Sequence, residues 1–394
     1  MSTLKVNAIR QTSASSDAVT LASDGSCTAK ITNNLSNRNL IINGAMQVAQ
    51  RGTTYTGTNN YGTVDRFRIG FGGTDENPTQ AQVDVASGTT PYTLGFRKAY
   101  KITNGNQTGG FGAADYLRAD TILEAQDIAN SGWNYKSASS YITISYWVKS
   151  SVAQEFFGYL YTADSPAYKY GWSLGSLSAD TWTKITKTIP GNSNLVFDNN
   201  NDTGCWVNLL GIWGTDKTAS DAPAPNTWAA WDGTKRSTDQ ASTWYTTNDA
   251  TFEITGVQLE VGDVATDFEH RSYGNELARC QRYYYLHAHG ATANNNDAAP
   301  IATTANYGAT SCFGVVQFPV TMRSAPTLDG VEGTNYFRVY ANSASDEFDS
   351  IALQQSSPQS YVVQFYGNMS VTQGHGSWTQ TNNAAAKVAF KAEL

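Results

Sequence analysis

The chain has 394 residues, with 26 Lys+Arg against 33 Asp+Glu for a formal net charge of −7, and only 15% of its residues are charged where an average soluble domain carries about 25%. Aromatics make up 12%, with 22 Tyr and 10 Trp, and Gly numbers 34; this mixture favours strands and tight turns and holds too much apolar surface for a disordered chain. No run approaches the roughly 18 apolar residues of a membrane span, and the scattered Lys and Arg form no basic cluster that would neutralise phosphates, so neither membrane insertion nor nucleic-acid binding is expected.

Residues 1–37 are polar and nearly free of aromatics, with short β-like pieces such as Leu4-Lys5-Val6 and Ala18-Val19-Thr20-Leu21 between Ser, Asp and Gly. A segment of this kind cannot form a core alone. It is expected to be flexible, or to become ordered by winding around copies of itself or by docking on a partner, as an anchoring arm does. Its opening, MSTLKVNAIRQTSASSD, has no apolar stretch after its charges, so folding in a cytosol is expected. The four cysteines, Cys27, Cys205, Cys280 and Cys312, lie far apart without metal-ligand spacing and are read as reduced thiols.

From Asn39 the texture changes to NLIINGAMQVAQRG and VDRFRIGFGG, where a first folded domain begins. A short helix is read across Thr121 to Ala129. In YITISYWVK, Ile142, Ile144, Tyr146 and Val148 share one face and Tyr141, Thr143, Ser145, Trp147 and Lys149 the other, a half-buried strand with one face in a core and the other toward solvent or a neighbour. The same period runs through Phe157-Tyr159-Tyr161, Ile185 and Ile189, and Trp206-Asn208-Leu210-Ile212. Short strands at such spacing indicate a sandwich or barrel. In TFEITGVQLEVG the apolar parity changes between Phe252/Ile254 and Val257/Leu259/Val261, which predicts a β-bulge near Gly256 that puts all five on the core face. Leu277, Cys280 and Tyr284 at i, i+3, i+7 predict a short helix from Glu276 to about Tyr284, capped by Asn275. Beyond it, FGVVQFPVTM, SYVVQFYG and KVAFKAEL read as strands of a second β region. The chain thus divides into an arm (1–37), a first β domain (38–272), a connecting helix (273–285) and a C-terminal β domain (286–394).

Gly171-Trp172-Ser173-Leu174-Gly175 matches G-x-S-x-G, but a nucleophile elbow needs a strand, a sharp turn and a helix, and the residues that follow read as a turn into another strand. His287-Ala288-His289 would place two imidazoles on one strand face as metal ligands; no third ligand stands beside them, and two solvent-facing histidines are the plainer reading. Glu253, Glu260, Asp263, Asp267 and Glu269 cluster in sequence, yet solvated turn chemistry accounts for them as well as an acid pair for glycoside cleavage would. Trp228, Trp231, Trp244 and Tyr245 lie in a polar stretch containing Pro and Gly. Such rings either stack on pyranose faces as glycan platforms or fold inward to plug one end of a sandwich or a subunit seam.

NLIINGAMQVAQRG with VDRFRIG, LEAQDIANSGW before YITISYWVKS, and FEITGVQLEVGDVATDFEHRSYGNELARCQRYYY together resemble a module recurrent in tail-fibre and other virion appendage proteins of tailed bacteriophages, notably marine ones. FGVVQFPVTMRSAPTL is similar to the β domain that often follows it, and STLKVNAIR to the N-terminal segment of the same kind of protein. The resemblance implies an all-β chain: a jelly-roll-like β-sandwich similar to a carbohydrate-binding module, followed by a smaller β-sandwich, behind an extended arm. It further implies a homotrimer in the virion, joined to other virion proteins through residues 1–37, that contacts host cell-surface polysaccharide without cofactor or catalytic motif. The leading expectation is a tail fibre that attaches the particle to its host; the alternatives are a purely structural capsid fibre or tail-decorating protein, and last, since no fixed long repeat is present, a polysaccharide depolymerase.

Overall fold

The computed structural model describes residues 6–23, 25, 27–29, 37–57, 59–290 and 298–394. Leu4 and Lys5 of the first β-like piece, and the side chain of Cys27, lie outside the described residues. The remaining cysteines, Cys205, Cys280 and Cys312, are free and buried.

In the arm, Ala8–Ile9, Val19–Leu21 and Cys27–Ala29 pair as a small antiparallel meander. Its apolar Val6, Ile9 and Leu21 are exposed. Two six-stranded antiparallel sheets follow. One runs Trp228–Ala230, Tyr168–Leu177, Gln154–Thr162, Thr203–Trp213, Tyr116–Glu124, Arg68–Gly72; the other runs Thr183–Pro190, Tyr141–Ser150, Thr251–Val261, Lys98–Thr103, Thr79–Asp84, Thr54–Thr56. Their facing apolar residues form one contiguous core, including Ile142, Ile144, Tyr146 and Val148 from the second sheet and Phe156, Leu160, Cys205 and Val207 from the first. Ile185 and Ile189 join it as the alternation predicts.

The second sheet is covered on its other face as well. Thr143 and Ser145 are buried, and Trp147 packs with Phe96, Val85 and Phe268 in a satellite cluster. The neighbour that this strand's second face meets is therefore a segment of its own chain. A bulge does interrupt Thr251–Val261: the register slips between Thr255 and Gln258 and Gly256 takes a φ of +65°, a conformation that suits a residue without Cβ. Phe252, Ile254, Val257 and Leu259 are all buried, but Val261 is 40% exposed, because the strand ends there and turns out at Gly262.

Two helix readings need correction. Residues 116–124 are strand, and only Ala125–Ala129 is helical; the β-rich TILE sequence continues the sheet until Glu124 is bonded by Arg282 and Tyr283. The second helix is Tyr273–Gln281 and its cap is Ser272, whose side chain accepts from the Asn275 amide; Tyr284 already belongs to the next strand.

The C-terminal region has its own core, with Cys312, Val316, Val339, Tyr361, Val363, Phe365, Val388 and Phe390 among its members. It lies between a three-stranded sheet, Tyr284–His289, Lys387–Lys391, Thr327–Val331, and a seven-stranded one, Ala344–Phe348, Phe337–Ala341, Gly376–Thr381, Pro300–Gly308, Ser311–Gln317, Ser360–Tyr366, Ser350–Ser356. A polar seam locks the two regions together. Arg66 is buried, bonded to Glu393 and to the Ile122 carbonyl at 2.6 Å, and lies 3.5 Å from the Tyr283 ring centroid. Arg323 donates to the carbonyls of Asn201, Ala392 and Glu393.

Candidate functional site

Where the chain's chemistry concentrates is the outward face of the first six-stranded sheet. Cross-strand register puts Tyr161 opposite Trp206, Tyr159 opposite Asn208, Asn208 opposite Asp120 and Asp120 opposite Arg68. Trp206 and Asn208 were expected on the same face as Leu210 and Ile212. A bulge between Asn208 and Leu210 changes the parity, so Cys205, Val207 and Leu209 enter the core before it, Leu210 and Ile212 after it, while Trp206 and Asn208 face out. In Gln154–Thr162 plain alternation sends Phe156 and Leu160 inward and leaves Tyr159 and Tyr161 on the outer face, the extra residue opposite Phe156 and Phe157 being carried by the partner strand.

Glycines on this face let large side chains lie flat against the sheet. A Cβ on Gly211 would stand 2.4 Å from Trp213 Nε1, one on Gly70 2.5 Å from Arg118 Nε, and one on Gly72 2.7 Å from the Tyr116 ring. The result is a continuous aromatic layer. Tyr116 and Tyr159 stack on Trp213 at 5.9 and 6.1 Å, Trp231 meets Tyr159 and Tyr161 at 5.8 and 4.6 Å, and Tyr161 meets Trp206 edge-on at 5.7 Å.

Guanidinium groups are laid over this layer. Arg68 and Arg118 sit 4.7 and 4.6 Å from the Trp206 ring and share one carboxylate, buried Asp120, at 2.6 and 2.9 Å. Arg236 lies 4.5 Å from Trp213, and burial lowers its pKa. Two cations on one anion, with a third nearby, leave the face positive. The excursion of residues 214–242 closes one half of it: Lys169 Nζ donates to the carbonyls of Lys235 and Arg236 at 2.7 Å each, and burial pushes the Lys169 pKa down to about 8. The other half, with Tyr161, Trp206, Trp231, Arg68 and Arg118, is only half-buried.

The four aromatic candidates separate. Trp231 belongs to this face. Trp228 sits at the rim of the core, its indole donating to the Pro190 carbonyl at 2.7 Å and its ring against Tyr170. Trp244 and Tyr245 are fully buried, with the Trp244 indole bonded to the Thr251 carbonyl at 3.0 Å and Tyr245 packed on Phe111. Of the two readings open for them, inward plugging of the sandwich is the one found, and neither ring is a surface platform. Tyr161 and Trp206 were read from the sequence only as positions in alternating strands, and Arg68 and Arg118 were not singled out. The odd-numbered apolar run Cys205, Val207, Leu209 was the signal that Trp206 points out.

The other motifs take structural places. Gly171–Gly175 lies inside the Tyr168–Leu177 strand, where Ser173 donates to Glu155. His287 is bonded at both ring nitrogens, to the Tyr285 hydroxyl at 3.0 Å and the Ile301 carbonyl at 2.7 Å, and burial pushes its pKa down. A bulge between Leu286 and Ala288 breaks the alternation, and His289 is exposed. Among the described residues no group of three or more His, Cys, Asp or Glu is placed to hold a metal. Glu253 pairs with Lys149 at 3.0 Å, Glu260 with Arg38 at 3.6 Å and Glu269 with Arg271 at 3.1 Å; Asp263 and Asp267 supply carbonyls to Thr188 and Gln258. The acidic segment therefore fastens residues 37–39 to the sandwich. Among the described residues no helix is long and apolar enough to cross a membrane.

No protein-family model matches the chain, and no curated protein does. Among solved structures it is similar to the enzymatically active domain of tailspike protein 4 of bacteriophage CBA120, at 8% identity over 57% of this chain and 22% of that one, TM-score 0.29. It is similar to a sugar-binding protein of Bacteroides thetaiotaomicron, at 11% over 57% of this chain and all of that one, TM-score 0.30. The tripod from the baseplate of bacteriophage Tuc2009 matches 92% of this chain and 95% of its own at 12% identity, TM-score 0.29. At these scores the likenesses are distant and decide neither fold nor function.

Proposed function

We propose that this chain is a glycan-binding virion protein, a homotrimeric tail fibre of a tailed bacteriophage that attaches the particle to host surface polysaccharide without cleaving it. The observation that carries the reading is the half-buried layer of Tyr161, Trp206 and Trp231 beneath the guanidinium groups of Arg68 and Arg118. Flat rings fixed by their neighbours on strands stack against pyranose faces with little conformational entropy left to lose. The guanidinium groups add donors in a fork that matches a carboxylate or sulfate, so an acidic polysaccharide is the preferred ligand. Glu253, Glu260 and Glu269 are committed to ion pairs, which supports binding over hydrolysis. The repeated crossing of the chain between the two sheets fits a jelly-roll arrangement.

The exposed Val6, Ile9 and Leu21 of the arm support its ordering against copies of itself or a virion partner, since apolar surface on so short a meander gains by being covered. Deleting residues 1–37 is expected to leave a folded remainder that no longer enters particles. The reading is tested by full-length protein on an array of acidic and neutral surface polysaccharides, with mass measured by light scattering. A trimer that binds saturably, with binding lost in Trp231→Ala, is the expected result. A stable trimer with no glycan affinity would favour a purely structural virion component.

A further inference from the structure

We propose that the outward face of the C-terminal seven-stranded sheet carries a second site, independent of the first, for a neutral oligosaccharide, with Trp378 as its platform. Cross-strand register places Trp378 between Tyr340 and Thr303. The Tyr340 and Trp378 rings are parallel within 8° at 4.3 Å, yet Trp378 remains 42% exposed, where a residue of this size is usually mostly covered. The stack fixes the indole in one orientation before any ligand arrives, so little rotamer freedom is lost on binding.

A wide, open depression of about 950 Å³ lies beside this pair, lined also by Asn342, Ser343, Ser345 and Gly376, on which an extended saccharide chain can lie. Its wall is the tight hairpin turn at Asn342-Ser343, with both residues at left-handed φ of 52° and 59°, as a two-residue connection requires. Asn342 is held by His375 and Thr372. Its floor is open: a Cβ on Gly376 would meet nothing within 4 Å, and Gly376 pairs with the small Ala305. None of the lining residues carries a formal charge. An anionic ligand would find no counterion there and a cationic one no carboxylate, whereas an aromatic plane ringed by amide and hydroxyl groups suits an uncharged polyol ring. Along the Pro300–Gly308 strand, four residues beyond Thr303 and so about 13 Å away, Tyr307 stands 74% exposed with its ring edge-on to Phe313. A chain of several pyranose units lying over Ala305 and Gly376 reaches both rings.

The test is calorimetric titration of the full-length protein with maltohexaose, cellohexaose, laminarihexaose and mannohexaose, with an alginate hexamer as the charged comparison. At least one neutral hexasaccharide is expected to bind saturably. Trp378→Ala should weaken it at least tenfold, and so should Gly376→Leu, which fills the depression from a position with room for a side chain. Trp231→Ala, on the first face, should leave it within twofold, which separates failure of this site from failure of the first. Tyr307→Ala should weaken the hexasaccharide but not its disaccharide. Absence of binding by all four neutral chains, or undiminished binding in both Trp378→Ala and Gly376→Leu with unfolding curves like the parent, would overturn the proposal. So would a fall in oligomeric mass in Gly376→Leu without glycan binding, which would assign the face to contact between copies of the chain.

Discussion

On the first sandwich, the outward aromatics lie down over glycines, carry three guanidinium groups and are half covered by an excursion of the same chain; on the C-terminal sheet, the outward aromatics stand free beside an open depression without charge. Both faces come from the same two-residue alternation. What separates them is the cross-strand neighbour. Gly70, Gly72 and Gly211 leave room for Arg118, Tyr116 and Trp213 to cover the sheet, whereas Trp378 is held in a parallel stack against Tyr340. Alternation decides which side chains leave the core, and register and small residues decide what surface they make.

The largest effects that would break this contrast are on stability. Trp244→Ala, deep in the first core, is expected to cost about 3–5 kcal/mol by urea unfolding, and Trp378→Ala on the open face less than about 1 kcal/mol; equal costs would mean that one of the two indoles is misplaced. Arg66→Ala leaves the Ile122 carbonyl unbonded in the seam between the regions and takes one of two guanidinium partners from Glu393, which keeps Arg51 at 3.0 Å, and should cost about 2–3 kcal/mol, against at most about 1 kcal/mol for Arg338→Ala, which is paired with Glu347. Next in size is Gly211→Ala, which forces the buried Trp213 indole to shift and should cost about 1–3 kcal/mol.

Smaller and sharper is the titration of Lys169. Its folded-state pKa, about 8, is depressed by burial, so the fold disfavours its ammonium form relative to the unfolded chain. Stability gained from this group is present above its unfolded value near 10.5 and is lost as pH falls through about 8. The parent protein should therefore gain ~1–2 kcal/mol between pH 8 and 10.5 relative to Lys169→Met, followed by denaturant midpoints across that range. A matching pH profile in the variant would show that the excursion does not bury this ammonium group. Salt provides the smallest contrast: raising ionic strength should weaken acidic-glycan binding at the guanidinium face and leave neutral-glycan binding at Trp378 unchanged.

The alternation of Ile142, Ile144, Tyr146 and Val148, the bulge at Gly256 and a helix before the second β region were legible because each is written in consecutive residues. The layer around Trp206 was not. A bulge inserts one residue and leaves clean alternation on either side, so Trp206-Asn208 and Leu210-Ile212 look like one face until the partner strand shows the slip. The burial of Trp244 and Tyr245 was equally hidden, since it depends on Gln154, Asn104 and Phe111, which are distant in sequence. Trp231 alone among the four aromatic candidates reached the face, carried there by the 214–242 excursion packing on Lys169.

The central claim is that this layer holds glycan, and it is tested most directly by calorimetry of the full-length protein with an acidic polysaccharide that it captures. The Trp206→Ala, Trp231→Ala double variant is titrated beside Trp228→Ala. The account requires at least a tenfold loss of affinity in the double variant and near-parental affinity in Trp228→Ala, with oligomeric mass unchanged in both. Full affinity in a folded double variant would contradict it.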